Sequence, residues 1–288
     1  MRPTSRRPET VTGLEPRIAE LAYYPVKGCA AVRPGTAVIT PAGIAHDRAF
    51  LVVDENGVYR TQRRHPRLAL ITPEISRDGS RMSLHHPDLP TLSFTVVRDG
   101  PRRCVDLFGN AFEGIDQGPV VGQWVSLALG EAGRLVRVPP DHRRATDGQT
   151  PGTSGYADSS AVHLLSKATL ALLDEKLRSA GEPAVPMERF RPNIVVDGWE
   201  HPHTEDLLRR VTLGDCELGY AKLALRCVVT TVDQRSARKV GPEPLRTLAG
   251  YRRTGGGLAF GAKFAVVRPG TVSVGDPVEV TRWGVSEL

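Results

Sequence analysis

Cysteine is scarce in this sequence, and its distribution excludes several classes of metal and redox protein. The 288 residues contain four cysteines that lie far apart, namely Cys29, Cys104, Cys216 and Cys227. No C-x-x-C pair occurs, and no cysteine or histidine spacing near them completes a zinc site. Structural zinc, iron–sulfur clusters and a disulfide framework are therefore poorly supported. Because free cysteines suit a reducing compartment, we expect a cytoplasmic protein.

Lysine and aromatic residues are also scarce. Only six of the 38 basic residues are lysines, and aromatic residues make up 6% of the chain, although the formal net charge is +6. The arginines are scattered and no RNA- or DNA-binding motif occurs, so we interpret their excess as a compositional bias and expect no nucleic-acid partner. The sequence also lacks the glycine-rich phosphate loops and the G-x-S-x-G motif, which leaves P-loop, Rossmann and α/β-hydrolase interpretations without support.

Long apolar runs are missing as well. No stretch approaches the 18 apolar residues of a membrane-spanning helix, so we expect no association with a membrane. The first sixteen residues are polar and include Glu9 and Glu15, which is typical of neither a signal peptide nor a transit peptide. We expect residues 1–16 to form a disordered tail.

Glycine and proline, in contrast, are plentiful, with 29 and 23 residues. Their spread along the chain favours many short elements joined by turns, which is typical of a β-rich, mixed α+β fold. Apolar, β-prone segments between these turns predict strands at 18–26, 37–40, 49–53, 68–75, 81–85, 92–97, 104–108, 135–138, 161–165, 193–196, 210–213, 217–227 and 264–267.

A few segments have the apolar spacing of helices. One helix is predicted over 120–129, and a second over 167–179, where Ser166 is in position to cap it and Gly181 to end it. A short third helix is predicted around 244–251. The predicted buried faces are Val120, Val121, Trp124 and Leu127 in the first helix, and Leu170, Leu173 and Leu177 in the second.

The polar, turn-rich stretch 139–155 is the predicted boundary between two domains, 17–145 and 146–288. Residues 270–280 alternate in hydropathy, which predicts a closing hairpin of a barrel.

Cys227 differs from the other cysteines in its neighbours. Arg226 places a fixed positive charge beside the thiol, which favours the thiolate that binds metals or attacks substrates. Thr230, Thr231 and Asp233 follow within six residues, at the end of an apolar strand. A buried structural cysteine is the alternative, and composition alone favours it.

Three other segments place a cation in a turn after an apolar strand. They are Tyr24–Cys29, Ala45–Arg48 and Arg189–Asn193. Lysine and arginine from separate loops can converge on one anionic group, which arginine binds through two hydrogen bonds, and Asn193 can both donate and accept. Taken singly, each cation is also explained as a surface charge.

Together these segments resemble a known family. Tyr24–Lys27, Thr40–Gly43 and His46–Arg48 resemble the N-terminal β-barrel domain that precedes MOSC domains. Later segments resemble the MOSC domain itself, which is the type of domain found at the C-terminus of molybdenum-cofactor sulfurases. These segments are Tyr156–Ser160, Glu188–Val196, Arg226–Asp233, Phe260–Gly261 and Gly270–Val280. In kind, the chain resembles the mitochondrial amidoxime-reducing component and its bacterial counterparts.

The resemblance implies a β-barrel-like N-terminal domain followed by a MOSC β-barrel with a few peripheral helices. It also implies an oxidoreductase that contains the molybdenum cofactor, molybdenum bound to molybdopterin, and reduces small N-hydroxylated compounds. Cys227 matches the catalytic cysteine that ligates the metal. The residues that match cofactor-binding positions are Lys27, Arg48, Ser159, Ser160, Arg191, Asn193, Arg226 and Thr230.

Electrons are expected from an external protein of the ferredoxin, flavoprotein or haem type, because the chain carries no motif for such a group. Two alternatives remain open. One is a carrier of persulfide sulfur or of the cofactor without turnover of its own, and the other is a structural or regulatory barrel with an inactive site.

Three positions depart from the family pattern. Gly28 replaces the usual serine after the lysine, and His46 stands where a glycine often precedes Asp-Arg. The segment Asp233–Ser236 lacks the usual Asp-Pro-Asp-Thr-Gly run. We expect these departures to affect the choice of substrate rather than the metal ligand.

Overall fold

A computed structural model describes residues 15–288, so residues 1–14 of the predicted tail lie outside the described residues. The helices are α1 (Pro119–Leu129), α2 (Lys167–Ser179) and α3 (Leu245–Ala249), with 3-10 helices at Pro66–Leu70, Met187–Arg189, Thr204–Leu207 and Val228–Thr231. The strands are β1 (Arg17–Leu21), β2 (Thr36–Thr40), β3 (Gly43–Ile44), β4 (Phe50–Val53), β5 (Thr72–Ile75), β6 (Arg81–His86), β7 (Leu89–Thr95), β8 (Arg102–Leu107), β9 (Asn110–Asp116), β10 (Arg134–Arg137), β11 (Ala145–Thr146), β12 (Gly152–Thr153), β13 (Val162–Ser166), β14 (Ile194–Asp197), β15 (Leu208–Leu213), β16 (Cys216–Arg226), β17 (Arg253–Thr254), β18 (Gly257–Arg268), β19 (Gly270–Ser273) and β20 (Val278–Trp283).

The largest sheet runs in the order β1-β14-β13-β18-β16-β15-β20, with β17 paired to β18. A bridge between Arg17 and Pro277 joins the first strand to the segment just before β20, so the sheet curls back toward its opposite edge. Within this sheet, as far as residues 15–288 show it, β13 and β14 are the one parallel pair, and α2 lies in the crossover that such a pair requires. The β-rich α+β prediction is confirmed.

Smaller sheets surround this curled sheet. One has the order β4-β10-β9-β8, a second β5-β6-β7, a third β19-β2-β3, and β11 pairs with β12. Helix α1 packs beside β10 and β7, and its buried side chains share a core with Phe50, Leu68 and Leu84. The first half of the chain therefore has an apolar core of its own.

The first strands nevertheless belong to the other half. β1 pairs with β14, and β2 pairs with β19. Ile18, Ile39 and Ile44 lie in the same apolar core as Leu164 and Phe264. β1 therefore joins the large sheet, and β2 and β3 share its core, whereas Val26 and Cys29 between them belong to the core of the first half. The division of the chain at residues 145 and 146 stays a prediction.

Helix α2 follows its predicted range. The hydroxyl of Ser166 accepts a hydrogen bond from the backbone N–H of Thr169 at 3.1 Å, which caps the first turn. Leu173 and Leu177 are fully buried, and Leu170 packs against them.

The predicted buried face of α1 was partly wrong. Val120 and Leu127 are 64% and 59% exposed, whereas Trp124 is buried and donates through Nε1 to the Pro90 carbonyl. The buried stripe is Val121, Trp124, Val125, Ala128 and Leu129. Val125, Ala128 and Leu129 were not predicted to belong to this face. The buried stripe also has helical spacing, but it is rotated around the helix relative to the predicted one.

Two strand predictions also need correction. Residues 66–70 form a 3-10 helix with proline at its start, and only Thr72–Ile75 is extended. The predicted hairpin over 270–280 was wrong, because β19 pairs with β2 and β20 pairs with β15. Alternating hydropathy indicates which face of a strand is buried, but it does not indicate which other strand pairs with it.

Among residues 15–288, no helix is both long enough and apolar enough to cross a membrane.

Candidate functional site

A cavity of about 360 Å³ lies where loops of the first half meet the large sheet. All nine residues predicted for the site line it, namely Lys27, Arg48, Ser159, Ser160, Arg191, Asn193, Arg226, Cys227 and Thr230. The fold thus brings together residues that are up to 203 positions apart in sequence, from Lys27 to Thr230. Their roles toward a ligand stay predictions.

Cys227 lies directly after β16 and is half-buried. Its carbonyl accepts hydrogen bonds from the backbone N–H of Thr230 at 3.0 Å and from the Thr230 hydroxyl at 2.9 Å. These bonds hold the backbone around Cys227 in a tight turn. The hydroxyl of Thr230 donates its hydrogen to this turn. The thiol faces a cavity wall that also contains Arg63.

Arg63 is a functional neighbour that the sequence interpretation missed. Burial lowers the pKa of its guanidinium, but the charge of the Cys227 sulfur and a hydrogen bond to it outweigh burial and raise that pKa. An arginine beside a thiolate stabilises the charged form that binds metals. The only signal in the sequence was the local run of arginines at positions 60, 63 and 64.

Tyr24 holds two of the predicted arginines in place. The guanidinium carbons of Arg48 and Arg191 lie 4.2 Å and 4.0 Å from the centre of its ring. Arg48 also donates to the carboxylate of Asp47 at 2.5 Å and to the amide oxygen of Asn193 at 3.2 Å. Because these side chains are buried against each other, both arginines are oriented before any ligand binds.

Unusual backbone conformations occur at the same loops. His46, Arg48 and Arg191 have φ values of 69°, 47° and 55°, in the left-handed region that disfavours residues with a side chain. Such strain persists only where surrounding contacts fix it, and it concentrates at functional sites. The conformation of His46 also explains why glycine suits that position in the family pattern.

Gly28 is the second departure with a local explanation. Its φ is 84°, and an added Cβ would lie 3.1 Å from Cδ1 of Leu68. A serine at this position would therefore strain the backbone and press on the core, so in this chain glycine fits the turn that presents Lys27.

Lys27 and Asp158 form an ion pair at one wall of the cavity. Burial raises the pKa of the Asp158 carboxyl, but the charge and hydrogen bond of Lys27 outweigh burial and lower it. Burial lowers the pKa of Lys27, and Asp158 counteracts this. Asp158 was not predicted, although it lies between the predicted Tyr156 segment and Ser159.

Several buried polar atoms of this cavity have no hydrogen-bond partner within residues 15–288. They are Oγ of Ser160, Nε2 of His163 and Nε of Arg226. Buried polar atoms in proteins are almost always paired, so these atoms point to a polar ligand. Burial also lowers the pKa of Arg226 to about 10.

The loop after Cys227 is tied to the loop that carries Arg63. The side-chain amides of Gln62 and Gln234 donate to each other at 3.0 Å and 2.9 Å. Gln234 also lies 3.4 Å from Nη1 of Arg191. In place of the family's usual run after Asp233, this chain therefore uses an amide pair to close one side of the cavity.

Within the described part of the chain, no group of three or more His, Cys, Asp or Glu residues is arranged to hold a metal ion. A metal at Cys227 would take its remaining ligands from a bound cofactor or from water. The cations, the neutral hydrogen-bonding groups and the single thiol fit an anionic, polar cofactor that brings such ligands.

Comparisons with known proteins show the family of the chain. Residues 15–132 match the MOSC N-terminal beta barrel domain, and residues 151–279 match the MOSC domain. The human mitochondrial amidoxime-reducing component 1 is 33% identical over 91% of this chain and 82% of its own length. The rat mitochondrial amidoxime reducing component 2 is 32% identical over 96% of this chain and 86% of its length.

A molybdenum cofactor sulfurase of Anopheles gambiae is 30% identical over 85% of this chain but only 34% of its own length. The similarity to the amidoxime-reducing components extends over most of both chains. The chain therefore belongs to the MOSC-domain family that includes the mitochondrial amidoxime-reducing components.

Proposed function

We propose that this protein is a molybdenum-cofactor-dependent reductase that cleaves the N–O bond of small N-hydroxylated compounds. In the reaction, R–NH–OH takes up two electrons and two protons and yields R–NH2 and water. The observation that carries the proposal is Cys227 beside Arg63 in a cavity lined by buried cations from distant loops. The relatives named amidoxime-reducing components supply the reaction class.

The residues present fit the cofactor. Its phosphate and pterin ring require cations and mixed donors and acceptors, and Lys27, Arg48, Arg191 and Asn193 offer these in one cavity. The thiolate of Cys227 is a soft ligand of the kind that suits a metal already bound by sulfur. When bound, the cofactor would supply the two-electron redox chemistry of the reaction.

The protein's own contribution is positioning and charge. Cys227 would hold the metal, and Arg63 places a positive charge beside its sulfur. The Tyr24 ring keeps Arg48 and Arg191 oriented, so binding an anion does not require them to be ordered at that moment. The amide pair of Gln62 and Gln234 holds the two loops of the mouth together.

Turnover with an artificial reductant tests the reaction class. Protein with a full complement of molybdenum should reduce benzamidoxime or an N-hydroxylated base when supplied with reduced methyl viologen. The amine product, measured by chromatography, should form in proportion to viologen oxidised. Metal-loaded protein that reduces neither class of compound would contradict the reductase assignment while leaving cofactor binding intact.

A carrier of persulfide sulfur is the second candidate function. It is favoured by the similarity to a protein named molybdenum cofactor sulfurase. A carrier would use Cys227 without a tightly held pterin. Mass spectrometry separates the two functions. A stoichiometric persulfide on Cys227 in metal-free protein would favour the carrier, whereas metal with an unmodified thiol favours the reductase.

The external electron donor is expected to dock at the mouth of the cavity. Arg63 lines the cavity, and Arg64 follows it on the same loop. Arg235, Arg238 and Lys239 lie on the loop that Gln234 ties to Gln62, and all five cations are exposed. Among residues 15–288 none of these five cations forms an ion pair with a carboxylate. Such a rim attracts a protein with an acidic surface around its redox group, which raises the rate of association at low salt.

Charge reversal on this rim provides a further prediction. In Arg235→Glu/Arg238→Glu, we expect the KM for a reduced plant-type ferredoxin, as a model acidic donor, to rise about tenfold at low salt. The rate with methyl viologen should not change, because this small dye does not need the rim. Arg81→Glu/Arg178→Glu, which changes exposed cations outside the cavity, is the matched control. Equal effects of the two double substitutions would refute docking at the rim.

Cytoplasmic location and the division into domains at residues 145 and 146 stay predictions. Relatives of the chain include proteins named as mitochondrial.

A further inference from the structure

Lys263 is an unexplained cation of the cavity. It lies on β18, lines the cavity and is half-buried. The other lysines that line it, Lys27 and Lys222, are ion-paired with Asp158 and Asp147. No hydrogen bond or ion pair of the Lys263 side chain is found within residues 15–288, although Asp158 is a charged neighbour.

The sheet places Lys263 next to an unpartnered histidine. Lys263 pairs in register with His163 of β13, and directly opposite residues of antiparallel strands project to the same face with Cβ atoms about 5 Å apart. His163 is 1% exposed, and its Nε2 has no partner among the described residues. An added Cβ on Gly261 would lie 2.7 Å from this Nε2, so the glycine leaves room for the ring.

The histidine contributes an acceptor rather than a charge. Its Nδ1 lies 3.4 Å from the carbonyl of Arg191, which requires Nδ1 to carry the proton if this bond forms. Burial, reinforced by the charges of Lys263 and Arg226, lowers the pKa of His163 well below its usual value. The Nε2 of a neutral ring can accept a hydrogen bond from an N–H group of a ligand. The positive charge of this wall then comes from Lys263 and its neighbours.

The charges around Lys263 do not balance. The positive charges of Arg48 and Arg226 repel the ammonium group of Lys263, and the negative charges of Asp158 and Asp47 attract it. Both carboxylates already have a close cation, because Asp47 pairs with Arg48 and Asp158 with Lys27. Lys263 and Arg226 are left as surplus positive charge in the cavity that also contains the unpartnered hydroxyl of Ser160. An anion from outside the chain would stabilise such a surplus on a half-buried wall.

We propose that Lys263 is a further cofactor-binding residue of this chain and receives the phosphate monoester of the pterin cofactor, with Arg226 and Ser160 beside it. This inference rests on the proposed function, because it assumes that the cofactor binds in this cavity. It assigns the phosphate of the cofactor to the wall that contains Lys263. Arg226, which directly precedes Cys227, would then lie between the phosphate at Lys263 and the thiol that holds the metal. Binding of the dianion would neutralise Lys263, which has no close partner among the described residues.

The protonation state of Lys263 gives the site a pH dependence. Burial and the charges of Arg48 and Arg226 lower the pKa of Lys263 to about 7, despite Asp158 and Asp47. The ammonium form therefore predominates below pH 7 and is lost as pH rises through it. His163, opposite on β13, and Lys222, opposite on β16, are the other titratable groups in register with it. An anion of fixed charge should bind the cofactor-free protein more tightly at pH 6 than at pH 8.

Sulfate is a suitable probe, because it is a tetrahedral dianion whose charge does not change between pH 6 and pH 8. Cofactor-free full-length protein is heated in increasing sulfate, with chloride at equal ionic strength as the reference, and the apparent Kd follows from the rise in Tm. In Lys263→Gln we expect the Kd at pH 6 to rise about tenfold, which corresponds to about 1.4 kcal/mol. Lys263→Arg should keep the tight binding and lose its pH dependence.

Lys222→Gln is the matched control, since its lysine lines the same cavity but is already paired with Asp147 at 2.5 Å. It should bind sulfate as the unchanged protein does. Far-UV circular dichroism checks that each variant is folded. If Lys263→Gln and Lys222→Gln bind sulfate equally, Lys263 does not form an anion site.

Cofactor content provides a readout that does not depend on activity. Protein from a host that makes the cofactor is denatured and oxidised, and the fluorescent pterin is measured per mole of chain. Lys263→Gln should contain several-fold less pterin than Lys222→Gln. Equal pterin in the two would overturn the phosphate role of Lys263, whereas absence of pterin from the unchanged protein would instead overturn the proposed function.

Discussion

Substitution of Cys227 by serine is expected to remove nearly all molybdenum from the purified protein. Even groups that only orient a metal ligand change metal affinity by about 10–100-fold, and the ligand itself should matter more. The structure offers no substitute, because no group of three or more metal-binding side chains lies together among residues 15–288. Metal content per chain, measured by mass spectrometry of the elements, should fall by more than about tenfold.

Cys104→Ser is the control for this experiment. Cys104 is an exposed free cysteine on β8 and does not line the cavity. Its substitution should leave metal content unchanged, so that loss of metal reports on position 227 and not on loss of a thiol. Pterin content measured in parallel shows whether the whole cofactor or only the metal is lost. Full metal content in Cys227→Ser would exclude Cys227 as the ligand.

The second large effect is expected at Arg48. Its guanidinium pairs with Asp47, whose side chain is 1% exposed, and bonds to the amide oxygen of Asn193. Arg48→Met would leave the Asp47 carboxylate buried, with the backbone N–H of Tyr24 at 2.8 Å as a remaining donor. Removing one partner of a buried ion pair costs about 3–5 kcal/mol, so we expect the free energy of unfolding to fall by about that amount.

Urea unfolding followed by circular dichroism measures this loss, and molybdenum content should fall with it. Arg33→Met serves as the control, because Arg33 is 51% exposed and lies 3.5 Å from Glu188 at the surface. An exposed pair of this kind contributes about 0–1 kcal/mol. Arg48→Lys keeps the positive charge but loses the planar guanidinium that bonds to two acceptors. It should therefore be more stable than Arg48→Met but less stable than the unchanged protein. Equal stability of Arg48→Met and Arg33→Met would contradict the structural role of the Asp47 pair.

Local features of the fold were predictable from the sequence. Helix α2 and its cap at Ser166 follow from a polar residue before an apolar pattern of helical spacing. Features that depend on distant partners were not. The strand at 270–273 has the alternation of a hairpin, yet it pairs with β2 from the other end of the chain. Nothing in its own residues specifies that choice.

The same distinction applies to the candidate site. The resemblance identified Lys27, Arg48 and Arg191, and the structure brings these to one cavity. Arg63 was missed because its loop carries no motif, and its importance comes only from lying beside Cys227. Lys263 was missed because it directly precedes a predicted apolar strand, where only the sheet register shows which way a side chain faces.

The sulfur ligands of the metal provide the most direct test of the central claim, that Cys227 binds molybdenum in this cavity. X-ray absorption at the molybdenum edge should show a protein thiolate in addition to the dithiolene sulfurs of the pterin in the unchanged protein. Cys227→Ser, examined at whatever metal content it retains, should lack that additional sulfur, whereas Cys104→Ser should keep it. An identical sulfur shell in the unchanged protein and in Cys227→Ser would contradict the account.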